Sequence, residues 1–89
     1  MSTRVFHALV GYDKKSGEVA VEYDVPDSEL NYAKAIAGVR SDDPDAALSY
    51  ELSPSQAGDI AGAIGVGIDG QAFNFYLQGY DAPLRSHAA

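Results

Sequence analysis

The sequence predicts an α+β domain in which two helices cover one face of a small, largely antiparallel sheet, in the order β-β-α-β-α-β. Three observations carry that expectation. Apolar residues alternate with period two over residues 18–25 and 72–78, they recur at three- and four-residue spacing over 28–37, and Ser53-Pro54-Ser55-Gln56 spells a helix start.

The first element is a strand over residues 4–12, where Val5, Phe6, Leu9 and Val10 supply β-branched and aromatic content over a short length. The polar cluster Asp13-Lys14-Lys15-Ser16-Gly17 then reads as a hairpin loop, with Gly17 supplying the positive φ that such a loop needs. In the second strand, Val19, Val21, Tyr23 and Val25 are expected on one face, with Ala20, Glu22 and Asp24 on the other. Pro26 lacks an N–H for the ladder and stops the strand. A helix over about 28–37 follows, started by Asp27 or Ser28, packed through Leu30, Ala33, Ile36 and Ala37, and ended by Gly38.

Residues 39–46 are a loop by composition, since Asp42-Asp43-Pro44-Asp45 combines proline with short acidic side chains. Leu48, Tyr50 and Leu52 alternate with Ser49 and Glu51, which makes a short strand. Ser53 and Gln56 form a capping box with Pro54 at the first helical position, so the second helix starts at Pro54; it carries Ala57, Ile60, Ala61 and Ile64 inward and ends at Gly65. In the last strand, Phe73, Phe75 and Leu77 face the core, and the chain from Asp81 onward reads as a frayed tail. The other sheet face should be wet, lined by Glu22, Asp24, Asn74, Tyr76 and Gln78.

At 89 residues the chain is expected to form one domain, with an ordered core over about 4–81 and a tail over 82–89. Thirteen Asp and Glu against six Lys and Arg leave a formal charge of −7, which repels nucleic acid and anionic lipid. No run reaches the roughly 18 apolar residues of a membrane span, and the start of the chain has no signal-peptide pattern. Without cysteine there are no disulfides or thiolate sites, which fits a cytoplasmic location.

The motifs that tempt a chemistry fail on context. Gly65-Val66-Gly67-Ile68-Asp69-Gly70 spells G-x-G-x-x-G, but it follows a helix and opens a strand, the reverse of a dinucleotide-binding loop. Gly58 and Gly62 form a G-x-x-x-G that reads as close packing of the second helix on the sheet. Asp42, Asp43 and Asp45 lack the alternating ligands, central glycine and distal Glu of an EF-hand. His7 lies on a strand and His87 in the tail, no G-x-S-x-G occurs, and Glu22 and Asp24 on an exposed strand gain no desolvation. No catalytic residue, metal or cofactor is therefore expected.

Residues 11–18 (GYDKKSGE), 42–45 (DDPD) and 50–57 (YELSPSQA) resemble a family of small, acidic, uncharacterised bacterial domains, over roughly residues 6–81. The resemblance carries no catalytic residue across. In size and acidity the chain is also similar, as a class, to the immunity proteins of bacterial toxin systems, including contact-dependent growth inhibition. Those proteins bind a cognate toxin domain, often a nuclease, and block it. What this implies is a cytoplasmic protein-binding domain with a basic toxin domain as partner. A small acidic adaptor and a self-associating structural domain, for example a homodimer, are the alternatives. Two surfaces are expected to carry the interaction: the loop with Asp42, Asp43 and Asp45, and the sheet face with Glu22, Asp24, Tyr76 and Tyr80.

Overall fold

A computed structural model of the chain describes residues 4–43, 46 and 48–82. The elements run β1 (Arg4–Asp13), β2 (Val19–Asp24), α1 (Asp27–Ala37), β3 (Ser49–Leu52), α2 (Pro54–Ile64) and β4 (Phe73–Ala82). The four strands make one sheet in the order β2-β1-β4-β3, every neighbouring pair antiparallel. The α+β class and the element order are as the sequence predicts.

The centre of the sheet is the pairing of β1 with β4, unbroken from Arg4↔Ala82 to Asp13↔Phe73. It carries the last strand through Asp81 and Ala82, where the composition suggests a tail; residues 83–89 lie outside the described ones. The β1–β2 hairpin closes as its sequence implies, with Gly17 at φ 74° and the Gly17 N–H donating to the Asp13 carbonyl at 2.9 Å.

One register detail departs from simple alternation. Gly11 pairs with Val21 and Tyr12 with Val19, leaving Ala20 as an extra residue in β2. This bulge turns Val19 away from the core side, where period two puts it, and leaves it 55% exposed. It also roughens an edge strand against pairing with another chain, as does the brevity of β3 at the opposite edge.

Both helices lie on one face. Leu9, Phe75 and Leu77 from the central strands, Val25 just past β2, and Leu52 from β3 form the core with Ala33 of α1 and Ala57, Ile60 and Ala61 of α2. Three of the four helix residues in that set are alanines, which lets the helices sit close to the sheet and to each other. His7 is 5% exposed, opposite Gly79, and by alternation with Leu9 it belongs to this same face.

The caps show why the helices start and stop where they do. Helix α2 has its full capping box: the Ser53 hydroxyl accepts the Gln56 N–H at 3.1 Å, and the Gln56 side-chain oxygen accepts the Ser53 N–H at 2.8 Å. The Gln56 amide also donates to the Ile36 carbonyl at 2.9 Å, tying the start of α2 to the end of α1. Helix α1 begins one residue earlier than expected, with Pro26 rather than Asp27 or Ser28 at the cap. Gly38 and Gly65 end the two helices in the left-handed conformation, and β4 rather than a helix follows the Gly65–Gly70 segment.

Gly58 and Gly62 are exposed, and a Cβ built on either would meet nothing within 4 Å. The close-packing expectation for this pair is therefore incorrect: the stripe faces outward, beside Tyr32 of α1. Replacing Gly58 and Gly62 with alanine should stabilise the fold by about 0.5–1 kcal/mol at each position through helix propensity. A urea melt of the double variant with an unmoved or lower midpoint would show that the glycines are under strain.

Candidate functional site

The face of the sheet away from the helices is built by the outward half of each strand. Three cross-strand rows can be read from the register. Val19, Tyr12 and Asn74 form the first; Glu22, Val10, Tyr76 and Glu51 the second; Asp24, Ala8, Gln78 and Ser49 the third. Tyr80 pairs with Phe6 in the backbone register, and its side chain, expected on this face, lies outside the described ones. Among the described residues no helix packs on this face. Glu22, Asp24, Ser49, Glu51 and Asn74 are exposed, whereas Ala8 and Val10 in the middle are buried at 0% and 3%. The face is thus a closed apolar floor with a carboxylate-bearing strand at either side.

Its aromatic part is held in place. The Tyr12 and Tyr76 rings meet edge to face at 5.4 Å and 87°, and the Gln78 side-chain N–H donates to the Tyr12 hydroxyl at 2.8 Å. Between these residues, Asn74, Ser49 and the β1–β2 loop lies a cleft of about 410 Å³. The loop wall is rigid because the Asp13 carboxylate accepts the Lys15 N–H at 2.7 Å and the Ser16 N–H at 3.0 Å. The Ser16 and then the Lys15 backbone bond hold the Asp13 carboxyl below its ordinary range, so it is ionised at neutral pH. That contribution to stability is present above the ordinary carboxylate range and is lost as the pH falls through the lowered value.

The structure brings Glu22, Asp24 and Tyr76 onto this one face as expected. It does not make β2 and β4 neighbours: β1 lies between them, so Tyr76 stands two strands, about 10 Å, from Glu22, with Val10 intervening. The direct acidic neighbour of Tyr76 is Glu51 of β3. Glu51, Tyr12 and Ser49 are site residues that sequence reasoning left out, although each sits one position from a core-facing residue and alternation alone turns it outward.

The acidic loop is arranged differently from the expected cluster. Asp42 pairs with Arg40 at 2.7 Å with both side chains largely exposed, a contact of small energetic weight. Asp43 turns the other way: its carboxylate accepts the Tyr50 hydroxyl at 2.6 Å and the Leu48 N–H at 3.1 Å. The Tyr50 hydroxyl in turn accepts the Arg40 N–H at 3.3 Å. Burial first, and the bond to Asp43 second, push the Tyr50 phenol above its ordinary range. Ala46, fully buried at φ 51°, donates its N–H to the Asp43 carbonyl at 2.9 Å. Asp45 and Pro44 lie outside the described residues.

Asp43 is therefore a staple between the loop and β3, and removing its carboxylate should not be neutral for the fold. Asp43→Asn should lower the melting temperature, whereas Asp42→Asn should leave it unchanged. Equal melts for the two variants would show that the Tyr50 bond carries no stability.

Residues 7–78 match the family described as a domain of unknown function, DUF7683. The chain belongs to this family. The DUF7683 match runs from β1 into β4 and takes in the whole cleft and both acidic surfaces; Tyr80 falls just beyond it. No curated protein and no solved structure matches the chain. Among the described residues no helix is long and apolar enough to cross a membrane, and no three His, Asp or Glu side chains come together to hold a metal ion.

Proposed function

We propose that this chain is a small cytoplasmic binding protein of the immunity or antitoxin kind, which neutralises a basic, nuclease-type toxin domain. The observation that carries the reading is the helix-free sheet face, where a rigid tyrosine pair is flanked by Glu22 and Asp24 on one side and Glu51 on the other. A nuclease presents positive charge to its substrate, and an acidic face finds that surface quickly and occupies it. Tyrosine supplies rigid contact area at little entropic cost, and the buried Ala8 and Val10 leave no soft floor beneath it. The sheet face is favoured over the acidic loop because Asp43 is already engaged with Tyr50 and Asp42 with Arg40.

The test begins with capture of a partner from the native host and its identification by mass spectrometry. Association of that partner is then followed against ionic strength for the wild type and for the triple variant Glu22→Gln, Asp24→Asn, Glu51→Gln. Neutralising the face should slow association by about tenfold or more at low salt and flatten the salt dependence, because charge accelerates encounter and salt screens it. Identical rates would remove the face from the interaction. A concentration-dependent dimer with no heterologous partner would favour the self-associating alternative.

A further inference from the structure

We propose that the cleft beside Tyr76 seats a single arginine side chain of the basic partner. The inference rests on the docking reading above and names the anchor of that contact. At about 410 Å³ the cleft lies near the lower end of the roughly 300–1,000 Å³ range of ligand sites, a size for one long side chain rather than a folded segment.

The chemistry of the lining selects among side chains. Tyr12 holds the Tyr76 ring edge to face, which fixes an aromatic surface on which a planar cation can stack. The Gln78 amide commits its N–H end to the Tyr12 hydroxyl, so its carbonyl oxygen is the end left to accept. The Asn74 carbonyl and the Ser49 hydroxyl add acceptors at the cleft wall. Asp13 at the loop wall and Glu51 beside Tyr76 supply negative charge, against one cationic side chain of the lining among the described residues, Lys14.

This set of one fixed ring, several neutral acceptors and a carboxylate surplus matches a guanidinium. That group is planar, weakly hydrated and carries five N–H donors in a rigid fork. An ammonium is a compact, strongly hydrated point charge that neither stacks nor spreads its donors over separated acceptors. A carboxylate or phosphate ligand would meet the like charge of Asp13 in the lining and of Glu51 beside Tyr76. Arginine is also the cation most enriched at the energetic centre of protein interfaces, where tyrosine is its frequent companion.

Nitrogen–proton correlation spectra tested with three blocked tripeptides decide the matter: glycine-arginine-glycine, glycine-lysine-glycine and glycine-citrulline-glycine. The arginine peptide should shift the amides of Asn74, Tyr76 and Gln78 with a millimolar midpoint, the lysine peptide several-fold more weakly and the neutral citrulline peptide most weakly. Tyr76→Phe should keep the arginine response, and Tyr76→Leu should weaken it by about two- to fivefold, the weight of an exposed cation–π contact. A thermal melt of each variant accompanies the titration. Equal responses to the three peptides, or shifts confined to other surfaces, would overturn the arginine seat.

Decaarginine and decalysine separate this failure from that of the docking reading. Preferential binding of decaarginine at the cleft supports both. Equal binding of the two at the face bearing Glu22 and Glu51 sinks the arginine seat and leaves the docking reading standing. Binding of neither to that face sinks both.

Discussion

Replacing Phe75 with alanine is expected to cost about 3–5 kcal/mol, the usual loss for a buried large aromatic. Phe75 is 2% exposed in one of the two central strands, it touches Phe73 edge to face at 6.1 Å, and it pairs with Gly11 on one side and Leu52 on the other. Its removal would open a hole bordered by β1, β3 and the helices, where the paired strands leave little room for collapse. Since the whole stability of a small domain is about 5–15 kcal/mol, the variant should unfold at far lower urea than the wild type. A midpoint within experimental error of the wild type would mean that the faces of β4 are inverted.

Gly11 is the second position of large effect, and here the loss comes from adding atoms. A Cβ at Gly11 would lie 2.7 Å from Phe75 Cε1 and 2.8 Å from Val21 Cγ2, closer than side-chain carbons approach. The Phe75 ring lies across β1 because residue 11 has no side chain, and the packed core behind the ring resists its displacement. Gly11→Ala should therefore cost about 1–3 kcal/mol despite the better strand propensity of alanine, and Gly11→Val more. The clash makes the two positions a unit. In a double-mutant cycle with Phe75→Leu, the cost of Gly11→Ala should shrink, with a coupling of about 0.5–3 kcal/mol. Strict additivity in urea melts of the four proteins would show that the ring yields freely.

Gly11 also shows where reading the chain alone stops. As a residue it is a break in an apolar strand; only the register with Phe75 and Val21 shows that it makes space for a ring. The local signals were strong where a single segment decides the outcome. The capping box at Ser53 and Gln56, the glycine stops at Gly38 and Gly65, and the hairpin turn at Gly17 are all settled within a few residues, and each formed as its sequence implies.

What depended on a distant partner was not legible. The bulge at Ala20 exists relative to β1, the continuation of β4 to Ala82 requires β1 beside it, and the outward direction of Gly58 and Gly62 follows from how α2 rolls on the sheet. The candidate site divides along the same line. Period two was enough to put Glu22, Asp24 and Tyr76 on one face, but the strand order made Glu51, not Glu22, the neighbour of Tyr76. The three aspartates looked alike in composition, yet the hydroxyl of Tyr50, seven residues on, sets Asp43 apart from Asp42.

The ten-residue pairing of β1 with β4 joins segments at opposite ends of the described chain, from Arg4↔Ala82 to Asp13↔Phe73. The middle of the sheet is thus its least local part, and closing it requires the intervening loop entropy to be met before the contacts that reward it exist. During synthesis the β1–β2 hairpin and both helices emerge while the central position beside β1 is still vacant, and Leu9 and Val21 wait without Phe75 and Leu77 against them. Assembly should therefore be a late, concerted event set by the arrival of β4. A nascent chain halted before Phe73 would present an unpaired β1 edge and an open core to other chains, so truncation there should yield aggregation rather than a smaller folded domain.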